Sequence, residues 1–125
     1  MTDAKGAAVV VVLVVEDEPF IRWDVTDYLR NTGLTVLEAA DADQALCVLE
    51  TCDVQVVFTD VNMPGSMDGL QLASLIRNRW PCTALIITSG HAALSEIDLP
   101  SNSRFFRKPY QSAVVAQAIE ELVRD

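Results

Sequence analysis

The sequence predicts a doubly wound α/β domain, a five-stranded parallel sheet with helices on both faces. Three observations carry that expectation. Short runs of apolar and β-branched residues recur five times, and amphipathic helical patterns separate them. The runs are apolar almost throughout rather than alternating, as suits strands covered on both sides. Four of the five then end in a polar group, at the rim where such sheets place their functional crevice.

The first strand is Val9–Val15, almost all valine, ending in Glu16-Asp17-Glu18. Pro19 suits the first turn of a helix, along which Ile21, Val25, Tyr28, Leu29 and Thr32 form one stripe before Gly33 stops it. Leu34–Ala39 is a second strand, with Glu38 hinting at an edge and no functional group at its end. Asp41-x-x-Gln44 reads as a capping box ahead of Ala42, Ala45, Leu46 and Leu49. The third strand begins near Val54 and ends at Asp60, just before Pro64-Gly65 breaks the chain. Asp68 caps a helix running to about Trp80, with Leu72, Ala73 and Ile76 inward and Pro81 beyond its end. Thr83–Thr88 is the fourth strand, followed by Ser89-Gly90. His91 to Leu99 leaves room for only a short fourth helix before Pro100. Arg104–Arg107 is the fifth strand, ending in Lys108-Pro109. Gln111–Val123 is the last helix, with Val115, Ala118, Ile119 and Leu122 inward.

At 125 residues, half of them hydrophobic, the chain has the core of one domain. The expectation is a single unit, 1–125, ordered over about 8–124, with no output domain. A net charge of −9 excludes a basic stripe that could meet nucleic-acid phosphates. Ala7–Val15 is too short to span a membrane and lacks the marks of a signal peptide, which points to the cytoplasm. Cys47, Cys52 and Cys82 suit reduced, buried thiols, and Trp23 and Trp80 suit packing. Asp24 and Asp27 read as the wet face of the first helix.

Glu16, Asp17 and Asp60 converging on one rim would repel one another, and a hard cation, Mg²⁺ or Mn²⁺, removes that cost. Lys108 brings a compact positive charge to the same place and Ser89 a hydroxyl; Thr88 is the competing hydroxyl. A carboxylate nucleophile, hard cation, lysine and hydroxyl together suit phosphoryl transfer, with Asp60 as acceptor.

Val14-Val-Glu16-Asp17-Glu-Pro, Asp60-Val-Asn-Met-Pro-Gly with Asp68-Gly-Leu, Ile87-Thr-Ser89-Gly and Phe105-Phe-Arg-Lys108-Pro109 resemble the response-regulator receiver domain of two-component signalling. The resemblance covers nearly the whole chain. It implies a flavodoxin-like fold with strand order 2-1-3-4-5. Asp60 is then the phosphoacceptor, Asp17 a direct metal ligand, Glu16 a ligand mainly through water and Asn62 one through its backbone carbonyl. Ser89 is the switch hydroxyl, with Phe105 the aromatic that turns inward when it moves. Lys108 contacts the phosphoryl oxygens and Lys108-Pro109 is a cis peptide. Asn62 and His91 stand where the family tunes dephosphorylation. A histidine kinase or phosphotransfer protein would be the donor and a further protein the downstream partner. A short fourth helix leaves a monomer or weak dimer as the expected state.

The implied function is a phosphorylation-controlled switch rather than a turnover enzyme. The competing reading is a receiver-like interaction module that works without phosphate. An aspartyl-phosphate hydrolase would need Asp-x-Asp on the first strand. A flavodoxin-type FMN protein would need a phosphate loop where Glu16-Asp17-Glu18 stands.

Overall fold

A computed structural model describes residues 9–90 and 99–124. Five strands, β1 (Val11–Val15), β2 (Thr35–Ala39), β3 (Val56–Asp60), β4 (Ala84–Ser89) and β5 (Ser103–Arg107), lie in the order β2-β1-β3-β4-β5. All four pairings are parallel. Helices α1 (Pro19–Asn31), α2 (Ala42–Thr51), α3 (Gly69–Arg79) and α4 (Ser112–Val123) cover the faces. Strand alternation divides the core in two. Leu13, Val15, Val57, Leu85 and Ile87 pack with α2 and α3, while Val12, Val14, Val56, Phe58 and Ile86 pack with α1 and α4. Each of β1, β3 and β4 is buried along its whole length, which explains their lack of polar alternation.

Strands β1 to β4 begin a residue or two later than their apolar runs, whereas β5 begins one residue earlier than expected, at Ser103. At β4 the shift extends to the far end, so that Ser89 is the last strand residue rather than the first loop residue. Caps set the helix starts. Asp68 and Gln71 form a complete capping box on α3. On α2 the Asp41 carboxylate accepts from the Gln44 amide, but the Gln44 side chain takes the Ala40 amide instead of its own cap.

Three expectations are corrected. Trp23 is 64% exposed, because it lies about 200° around α1 from the buried Val25. Ile21 and Tyr28 are 37% and 40% exposed; the stripe that meets the sheet is Val25, Thr26 and Leu29, and these two flank it. The cysteines are exposed rather than core: Cys47 lies on the outer face of α2, Cys52 caps its C-terminus, and Cys82 sits in the turn before β4. The short fourth helix and His91 lie outside the described residues.

Candidate functional site

Three strand ends are locked by backbone bonds that continue the sheet ladder past the strands. The Glu16 amide donates to Ala39 O at 3.0 Å, Val61 to Thr88 O at 2.9 Å, and Lys108 to Ser89 O at 2.9 Å. The acidic and basic residues of the rim therefore start from rigid backbone.

On that base the side chains meet. Glu16, Asp17 and Asp60 each present an oxygen within 4.8 Å of the other two. Lys108 Nζ donates to Asp60 Oδ2 at 2.7 Å and to Glu16 Oε1 at 3.3 Å. Asp60 Oδ1 accepts from the Asn62 amide at 3.1 Å, so both oxygens of this carboxylate are oriented. Glu16 Oε2 accepts from the Glu18 amide at 3.1 Å. Glu16 and Asp60 are 3% and 5% exposed, whereas Asp17 is open to solvent. Three carboxylates face one ammonium, so negative charge is left over in a half-buried place. Such oxygens fit a hard divalent cation, with Glu16, Asp17 and Asp60 as the side chains to hold it.

The electrostatics follow from crowding. Burial raises the Glu16 carboxyl above its ordinary range, against the opposing pull of the Glu18 amide and Lys108. Burial also pulls the Lys108 ammonium down, but the hydrogen bond to Asp60 and the charges of Glu16 and Asp60 outweigh it and leave its pKa raised. Burial, then the charges of Glu16, Asp24 and Asp60, push the Tyr110 phenol well above its usual value. Its ring packs edge-on against Phe58 at 5.3 Å.

The other candidates are placed as follows. Ser89 is fully buried at the end of β4. Thr88 stands in register with Asp60, and its buried hydroxyl has no hydrogen-bond partner among the described residues. Phe105, half-buried, packs on the α2/α3 side of the core. The Lys108-Pro109 peptide is cis. Asn62 is exposed and meets Asp60 through its amide.

Sequence reasoning missed Arg22. Its Nη1 donates to Glu16 O at 2.7 Å and its Nε to Glu38 Oε1 at 3.2 Å, tying the acidic turn to the edge strand. Glu38 also accepts from Arg30 at 3.1 Å. An arginine six residues after Glu16, on the helix that follows it, was the available signal.

The model for the response regulator receiver domain matches residues 12–120. The sensor kinase CckA of Brucella abortus is 35% identical over 128 residues, covering 98% of this chain but 13% of that protein. The transcriptional regulatory protein PdtaR of Mycobacterium tuberculosis is 32% identical over 126 residues, covering 95% of this chain and 59% of that protein. Among solved structures, a response regulator receiver protein from Sinorhizobium medicae superposes with a TM-score of 0.83 at 27% identity, covering 91% of this chain and 94% of that one. The chain thus spans less than two thirds of both curated relatives.

Proposed function

The chain belongs to the response regulator receiver domain family, and from that premise we propose that it is a switch set by phosphorylation of Asp60. The observation that carries the reading is the meeting of Glu16, Asp17 and Asp60 oxygens within 4.8 Å beside Lys108. An Asp60 oxygen attacks phosphorus, forming the acyl phosphate as the bond from phosphorus to the donor's leaving atom breaks. Lys108 holds Asp60 before transfer and then meets a phosphoryl oxygen, where fixed positive charge is most useful. Mg²⁺ or Mn²⁺, held by Glu16, Asp17, Asp60 and the Asn62 carbonyl, would supply charge neutralisation on the transferring oxygens. Ser89 is the hydroxyl that bonds the phosphoryl group and Phe105 the aromatic that follows it, so the change reaches the face that a downstream protein reads.

The donor is a histidine kinase or phosphotransfer protein, which must stand over this rim. Phe20, 82% exposed, and Ile21 line a groove of about 510 Å³ with Lys108, Pro109 and Tyr110. That apolar border supports docking of a protein donor. Among the described residues no helix is long and apolar enough to cross a membrane; a receiver fed by a histidine kinase belongs in the cytoplasm.

Intact mass after incubation with acetyl phosphate tests the reading. The wild type should gain one phosphoryl group only with Mg²⁺, and Asp60→Asn should gain none. Labelling of Asp60→Asn would move the acceptor elsewhere. Failure of the wild type both to label and to bind Mg²⁺ would favour the phosphate-independent module.

A further inference from the structure

Behind the backbone of Asp60 the chain folds back on itself. It leaves β3 through Val61, turns at Gly65 with φ +109°, and returns at Gly69, the first residue of α3. There the Gly69 amide donates to Val61 O at 2.9 Å, closing the loop. The Asp68–Gln71 capping box holds the first turn of α3 in place at the same point.

The closure is tighter than any other residue allows. A Cβ at Gly69 would lie 2.0 Å from Asp60 O, 2.7 Å from Asp60 C and 2.8 Å from Val61 Cα. All three obstacles are backbone, so no side chain can swing away to make room. By contrast, Gly33 and Gly90 have nothing within 4 Å of the same position. Burial at Gly69 is thus backbone stacked on backbone, directly behind the carboxylate-bearing residue.

We propose that Gly69 is a positioning residue for Asp60: its missing side chain lets α3 serve as a backstop that sets where the Asp60 carboxylate stands. This rests on the reading of Asp60 as phosphoacceptor. A methyl group at 69 forces α3 and the end of β3 apart by at least about 1 Å, the least that lifts 2.0 Å to the 3.0 Å below which Cβ atoms essentially never approach another heavy atom. The shift falls on the two contacts that orient the carboxylate, Lys108 Nζ and the Asn62 amide. Displacements of this size at a reacting group cost on the order of 10²-fold in rate.

The experiment compares Gly69→Ala with Gly33→Ala in the full chain. Gly33 has φ +95°, so alanine there strains the backbone far from the rim and supplies a control for lost stability alone. Two readouts are taken: the rate of phosphorylation by acetyl phosphate with Mg²⁺, and hydrogen exchange at the Asn62 amide, which needs neither phosphate nor metal. Gly69→Ala should fold, label about 10²-fold more slowly and exchange Asn62 faster; Gly33→Ala should melt earlier yet match wild type in both readouts. If Gly69→Ala is unfolded, both readouts are taken in an osmolyte that restores its circular dichroism. Wild-type rate and wild-type exchange in folded Gly69→Ala would overturn the proposal. A wild type that never labels would sink the phosphoacceptor reading, and the Asn62 exchange would still decide the placement of Asp60.

Discussion

The two ends of the sheet solve opposite problems with similar residues. At the lower end, where the strands begin, several polar side chains are spent on backbone groups. Gln55 Oε1 accepts from the Val11 amide at 2.7 Å, and Thr83 Oγ1 donates to Val54 O at 3.0 Å. Arg77 donates to Pro81 O and Ser101 O at 2.8 Å and to Asn102 O at 3.3 Å, clasping α3 to the chain entering β5. At the upper end the side chains face one another, three carboxylates against Lys108, and the charge does not balance. Polar groups at the lower end close the structure; those at the upper end are left with capacity to bind something else. Stability and function are thus separated along the strand direction, by about five residues of buried apolar sheet.

Substitutions at the two ends should therefore move different measurements. The largest effect on stability is expected below: Arg77→Ala loses three charge-assisted bonds to carbonyls and should cost about 2 kcal/mol in denaturant unfolding, with labelling by acetyl phosphate unchanged. Loss of labelling in a folded Arg77→Ala protein would break the division. Above, Asp60→Asn should abolish labelling yet raise stability in metal-free buffer by about 1 kcal/mol, because one of three crowded charges is gone and Lys108 keeps Glu16. A lower melting temperature there would mean that the Lys108–Asp60 contact outweighs the repulsion. Thr88→Val removes a buried hydroxyl that has no partner among the described residues and should add up to about 1 kcal/mol. If it instead lowers the labelling rate as much as Ser89→Ala does, Thr88 shares the hydroxyl role. The smallest effect belongs to neither end. Arg104 bonds Glu121 across β5 and α4 and holds that exposed carboxyl below its usual range. A carboxyl lowered in the fold adds stability above its unfolded pKa and loses it as pH falls through the folded one. Glu121→Gln should lower the melting temperature slightly near neutrality, and the difference should vanish in acid.

Much of this was readable in the chain itself. Apolar runs buried on both faces announced β1, β3 and β4, and the polar ends of β1, β3 and β5 placed Glu16, Asp17, Asp60 and Lys108 on one rim. Local chemistry sufficed there because the strand itself carries each group to the site. Residues that act through tertiary contact left only weak signals. Arg22 reaches Glu16 O only because α1 returns across the end of β1 beside the edge strand. Gly69 was quoted within a motif, but its need for no side chain comes from Asp60, nine residues earlier and back-to-back with it. The cysteines were misplaced because thiols are usually buried, whereas helix rotation and turn position put all three outside.

The clasp on Glu38 has a consequence for the chain at high concentration. β2 and β5 are the outer strands, and an outer strand offers bare amides and carbonyls to any strand that meets it. On β2, Thr35 and Ala39 bond inward to β1 and its continuation, so Val36 and Glu38 point outward by alternation. The Val36 carbonyl is already taken by Arg30 Nη2 at 2.9 Å, and Glu38 carries two arginines at its side. On β5, Arg104 and Arg107 bracket the phenylalanines; Arg104 is paired with Glu121, and the exposed Arg107 sets a charge at the end of the strand. Both borders of the sheet are in this way poor templates for fibril growth, and on β2 the protection comes from the helix that also steadies the acidic turn.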